Sequence, residues 1–119
     1  MLCSYLHSRG IKDKVYLDYT TNNIDFNRRS RLVSVNGFDF VVNQLFDDTD
    51  AVGIGLVATN KVLGTDNGNM VAIGAIEGDD IICFDVFTGN IVLWMIENGD
   101  GEYIKIADSF AEFVNKCFE

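Results

Sequence analysis

Three apolar runs follow one another between Asn69 and Ile96: "NMVAIGAI", "DIICFDV" and "NIVLWMI". Each is short, rich in Val and Ile, and bounded by turn-forming residues, so each reads as a β-strand. The breaks between them, "EGD" and "FTG", each contain a glycine. Connections that short join antiparallel neighbours, because a parallel pair needs a crossover of roughly a dozen residues or more. In the third run Ile91, Leu93 and Met95 alternate with Val92, Trp94 and Ile96. Both sets are apolar, which predicts a strand covered on both faces and places Trp94 in the core.

The rest of the chain extends this sheet. "KVYLDY" alternates Val15, Leu17 and Tyr19 against Lys14, Tyr16 and Asp18, the pattern of a half-buried strand. "NNIDFNRRS" reads as a turn or loop. In "RLVSVNGFDFVVNQLF" the Asn36-Gly37 dipeptide is a strong hairpin signal, with strands expected near Arg31–Val35 and Phe38–Val42. "DDTDAVGIGLVATNKVLG" predicts a middle helix. Asp47, Asp48, Thr49 and Asp50 supply N-cap candidates, Val52, Leu56 and Leu63 share a face, and Gly64 can end it. Gly53 and Gly55 oppose that reading, and Val52, Ile54 and Leu56 also fit strand alternation. "ENGDGE" is a turn before a short strand "YIKIA".

The C-terminal segment carries the clearest local pattern. In "DSFAEFVNKCFE", Ser109 and Glu112 form a capping box. Phe110, Phe113, Val114, Cys117 and Phe118 make a continuous apolar stripe at helical spacing. Burying one phenylalanine stabilises by roughly 1.5–3 kcal/mol, so this helix is expected to pack on the sheet. The order of elements predicts an α+β fold with a largely antiparallel sheet, a middle helix and a docked C-terminal helix. The length of 119 residues suits one domain, 1–119.

Charge narrows the function. The chain has 9 Lys and Arg against 18 Asp and Glu, a net charge of −9. Residues 61–119 hold three basic and eleven acidic groups, net −8, so nearly all the negative field belongs to the second half. Such a surface attracts basic partners, and it argues against direct nucleic-acid binding, which depends on Lys and Arg at phosphates. Solubility alone is the plainer explanation of the same charge. Arg28, Arg29 and Arg31 are too few for a nucleic-acid footprint. No apolar run is long enough to span a membrane, and the start "MLCSYLHSRG" lacks the pattern of a secretory signal. Cys3, Cys83 and Cys117 are scattered and odd in number, which suits reduced thiols in a cytoplasmic protein. Cys83 and Cys117 stand among large apolar residues and read as core.

Candidate chemistry is sparse. His7 is the only histidine, so no zinc set is expected, and nothing places it beside a nucleophile. "GTDNGN" lacks the spacing of a calcium loop. Gly53, Gly55 and Ala58 formally match a dinucleotide-loop pattern, but without its strand-then-acid context. No cofactor is expected. Asp79, Asp80, Glu97, Asp100 and Glu102 gather at two turns flanking a hairpin. They read either as solvated turn residues or as a contact surface for a basic partner. A catalytic pair would need a helper of a second kind, and none is visible. Asp85, inside an apolar strand, reads as a carboxylate bonded to backbone amides.

The stretches "MVAIGAIEGDDIICFDV", "IVLWMIENG" and "IKIADSFAEFV" resemble the C-terminal half of the SUKH superfamily, which contains yeast cell-wall assembly regulators and bacterial immunity proteins. The matching pieces are Gly78-Asp79-Asp80 with Asp85, then Trp94, then Ala107-Asp108-Ser109-Phe110 with Phe113. The family's N-terminal "LPxxYxxFL" helix motif has no counterpart in this proline-free chain, so that region is expected to be reduced or absent. Met95 and Ile96 replace the polar residues that follow the family's tryptophan. The resemblance implies a scaffold without catalysis that binds and neutralises a toxin, often a nuclease. A basic protein partner fits the acidic second half. A regulatory scaffold in cell-wall or signalling control is the alternative it implies.

Overall fold

The computed structural model describes residues 2–11, 32–35, 37–46, 55–65, 68–78, 80–95 and 102–117. The expected strand at 14–19 and the loop that follows it lie outside these residues. Six strands form one sheet: β1 (Leu32–Val35), β2 (Phe38–Leu45), β3 (Met70–Ile76), β4 (Ile81–Asp85), β5 (Ile91–Met95) and β6 (Glu102–Ala107). They lie side by side in chain order, and every neighbouring pair is antiparallel. The α+β fold and the antiparallel sheet expected from the sequence are therefore present. Among the described residues three helices accompany the sheet: α1 (Leu2–Ser8), α2 (Leu56–Leu63) and α3 (Phe110–Cys117).

The hairpin at Asn36-Gly37 forms as the dipeptide predicts. Val35 pairs with Phe38, leaving a two-residue turn, and Gly37 has φ 81°. That left-handed conformation is cheap for glycine and costly for a side chain. β2 then meets β3 so closely that a Cβ on Gly74 would stand 2.5 Å from the Gln44 carbonyl oxygen and 2.8 Å from Leu45 Cδ2. Glycine in mid-strand permits this approach.

β4 ends sooner than "DIICFDV" suggests, at Asp85. The Asp85 carboxylate accepts the backbone N–H of Phe87 at 2.9 Å and of Thr88 at 3.4 Å. Gly89 N–H reaches the Asp85 carbonyl at 2.7 Å, and Asp85 N–H reaches the Asn90 carbonyl at 2.9 Å. The carboxylate thus folds Val86, Phe87 and Thr88 into the turn, as an Asx motif does. This is the structural role expected for Asp85.

The middle helix exists, but it begins at Leu56, after both glycines. Gly55 precedes it in extended conformation with no side-chain cap. The capping role expected of Asp47 to Asp50 falls on residues outside those described. Keeping Gly55 out of the helix interior avoids roughly 1 kcal/mol. The expected stop is present: Gly64 has φ 74° and ψ 16°. Thr65 N–H bonds the Asn60 carbonyl at 3.0 Å, and Gly64 N–H bonds the Lys61 carbonyl at 3.3 Å, a Schellman ending.

α2 is fastened to β3 by a side chain that the apolar pattern does not reveal. Asn60 is fully buried. Its amide nitrogen donates to the Leu56 and Ala72 carbonyls, each at 2.8 Å. Its oxygen accepts Ala72 N–H at 2.7 Å and the Thr65 hydroxyl at 2.6 Å. Toward Ala72, Asn60 therefore donates and accepts as a neighbouring strand would.

α1 was not legible in the sequence. Leu6, and Ile11 just beyond the helix, are fully buried. Arg9 donates to Tyr5 Oη at 2.8 Å and to the Thr65, Gly68 and Met70 carbonyls, tying the helix to the segment before β3.

α3 packs against both edge strands, β1 and β6. Phe110 and Phe113 are fully buried, their ring centroids 6.0 Å apart. The side chains of Cys117 and Phe118 lie outside those described. Glu112 N–H bonds Ser109 Oγ at 3.1 Å, as the capping box predicts. The return bond goes one residue further back than expected, from Asp108 N–H to Glu112 Oε2 at 3.0 Å. Among the described residues no helix is long and apolar enough to cross a membrane.

Candidate functional site

A meander sends alternate connections to the same end of its sheet. The β1–β2, β3–β4 and β5–β6 connections therefore share one end, and the β4–β5 turn lies at the other. This topology collects the acidic turns. Glu77 is exposed in the β3–β4 turn, where Gly78 adopts φ 97° and Ile76 N–H bonds the Asp80 carbonyl at 3.0 Å. Asp80 is half-buried at the start of β4, and Glu102 is exposed at the start of β6. Asp79, Glu97 and Asp100, also singled out in the sequence, lie outside the described residues.

Strand register sets two aromatic rings one step along their strands from the two described acids. Ile81 pairs with Trp94, and Trp94 pairs with Tyr103. Asp80 directly precedes Ile81, while Glu102 directly precedes Tyr103 and pairs with Met95. Trp94 and Tyr103 stack with centroids 6.0 Å apart and planes 17° from parallel. Tyr103 is 45% exposed. Trp94 is only partly buried, unlike Ile91, Val92 and Leu93 before it. The expectation of a wholly covered strand thus holds for the first part of β5 and fails where β5 approaches the acidic end. Alternating apolar residues predict that a strand can be covered, but not how far its neighbours reach along it.

Two polar atoms at this end lack partners among the described residues: Asp80 Oδ1 and Trp94 Nε1, both buried. An unmade hydrogen bond at a buried group costs about 1–3 kcal/mol. Such groups are uncommon enough in folded proteins to call for a reason.

The described cations around β6 and α3 are engaged elsewhere. Lys105 Nζ lies 2.5 Å from Asp108 Oδ1. The hydrogen bond and charge of Asp108 raise the Lys105 pKa, and the same contact lowers that of Asp108. Lys116 Nζ donates to the Ile106 carbonyl at 3.1 Å and stands 3.6 Å from Glu112. His7 is exposed on the last turn of α1. Gly10, just after α1, packs beside Val86 of the β4–β5 turn, so His7 belongs to the far end of the sheet. Cys83 is buried in β4, where desolvation pushes its pKa up to about 12 and keeps the thiol protonated.

The class defined by these features is an α+β scaffold that carries carboxylates and half-exposed aromatic rings at one end of an antiparallel meander. Residues 8–116 match the SMI1 / KNR4 family (SUKH-1), and the chain belongs to that family. Membership supports an immunity-protein-like module. The matched span reaches well ahead of Met70 and begins at the last residue of α1. Among curated proteins and solved structures, nothing matches the chain.

Proposed function

We propose that this chain, acting as one domain over 1–119, is a non-catalytic immunity protein. It binds and neutralises, in the cytoplasm, a toxin with a basic surface. Asp79, Asp80, Glu97, Asp100 and Glu102 form the contact surface. The observation that carries this reading is the gathering of the β3–β4 and β5–β6 turns at one end of the sheet, in a half-chain of net charge −8. Family membership supports a protein-binding role. A nuclease fits such a surface well, because it needs a basic cleft for phosphates that an acidic protein can occupy. Complementary fields also speed encounter, which matters when a toxin must be caught before it acts.

The test is co-purification from the organism that encodes the chain, with mass spectrometry of what is retained. The expected companion is a toxin whose contacting surface is rich in Lys and Arg. A companion that is acidic where the two touch, or turnover of a small molecule by the isolated chain, would exclude the proposal.

A further inference from the structure

We propose that the stacked Trp94–Tyr103 pair is the docking platform for an arginine side chain of the basic partner. The inference rests on the basic-partner reading and names the chemistry at its centre.

Tyr103 and Lys105 alternate with Ile104 and Ile106 along β6, and the first pair is exposed while the second is buried or half-buried. Tyr103 therefore stands on the solvent face of the sheet, with Trp94 beside it in register. An aromatic ring that is 45% exposed while stacked on a second ring is a large flat surface that folding has left uncovered. Tryptophan and tyrosine in such settings carry binding energy out of proportion to their number.

Charge selects the occupant. Trp94 and Tyr103 belong to residues 61–119, which hold three basic and eleven acidic groups, net −8. A negative field around aromatic rings, whose faces are themselves negative, favours a cation over an apolar side chain. The one cation that shares the solvent face of β6, Lys105, is bonded to Asp108 and does not occupy the platform. Arginine suits the site better than lysine. Its planar guanidinium stacks on a ring and keeps its edges free to donate, whereas an ammonium is compact and strongly hydrated.

Trp94 is the only tryptophan in the chain, so its emission reports on the platform directly. The experiment titrates the full chain with hexa-arginine and, separately, hexa-lysine, reading affinity by calorimetry and Trp94 emission by fluorescence. Hexa-arginine is expected to bind roughly fivefold tighter than hexa-lysine and to shift or quench Trp94. Tyr103→Ala should lower hexa-arginine affinity to the hexa-lysine level. Tyr103→Phe, which keeps the ring, should retain the preference. Salt-sensitive binding of both peptides with unchanged Trp94 emission overturns the platform and leaves the basic-partner reading standing. So does an arginine preference that survives Tyr103→Ala. If neither peptide binds, both readings fall.

Discussion

Asn60 is the residue on which the middle of the fold most depends. All four of its side-chain hydrogen bonds are made inside the protein, two of them to the backbone of Ala72. Asn60→Ala strands the Ala72 groups away from water, where each unmade bond is expensive, while Thr65 keeps its second bond to the residue-60 carbonyl. The variant should lose about 2–4 kcal/mol in urea unfolding with an unchanged denaturant slope. Asn60→Asp should do no better near neutral pH, since a carboxylate cannot donate to the Leu56 and Ala72 carbonyls. Cys83 supports a second test. Its folded pKa, about 12, lies above the value of 9.0 for a free thiol. Between these values the unfolded chain releases a proton that the folded chain keeps, so stability falls as pH rises from 9 toward 12. Cys83→Ala should show a shallower alkaline loss than the parent. Alkylation followed by peptide mapping should find native Cys83 protected at neutral pH and labelled once the chain is unfolded.

Among the elements, α3 has the most explicit design: two buried phenylalanines, a Ser109 cap and a docking site across both edge strands. Ser109→Ala should cost about 1 kcal/mol, while Ser109→Asp, which restores an acceptor, should stay near the parent value in the same melt. This helix and β3 to β6 were readable because their codes are local: alternation, glycine-bearing breaks and a capping box. Elements that depend on partners distant in sequence were less so. Nothing within Leu2–Ser8 predicts that Leu6 will enter the core or that Arg9 will bond carbonyls more than fifty positions away. Asn60 carries no local signal of its role, because its partner strand comes later in the chain. The early end of β4 follows from one carboxylate capturing two amides, which an apolar pattern does not encode. The acidic turns were legible as composition, whereas their shared end of the sheet required the strand order.

For the whole molecule, antiparallel pairing in chain order has a functional consequence. It sends acidic connections to one end and the Asp85-organised turn, with its 84%-exposed Phe87, to the other. The scaffold is polar in the geometric sense, and one pole carries the aromatic pair and the Asp80 and Trp94 atoms that lack partners among the described residues. A field of this kind acts before contact is made, and salt shortens its reach to ~10 Å at 0.1 M. The most direct measurement is the association rate constant between the chain and the protein it retains, followed from low to high ionic strength. The account predicts a steep fall with added salt, and a slower low-salt rate for Asp79→Lys combined with Asp80→Lys. A rate that is flat across that range, and indifferent to both charge reversals, would contradict it.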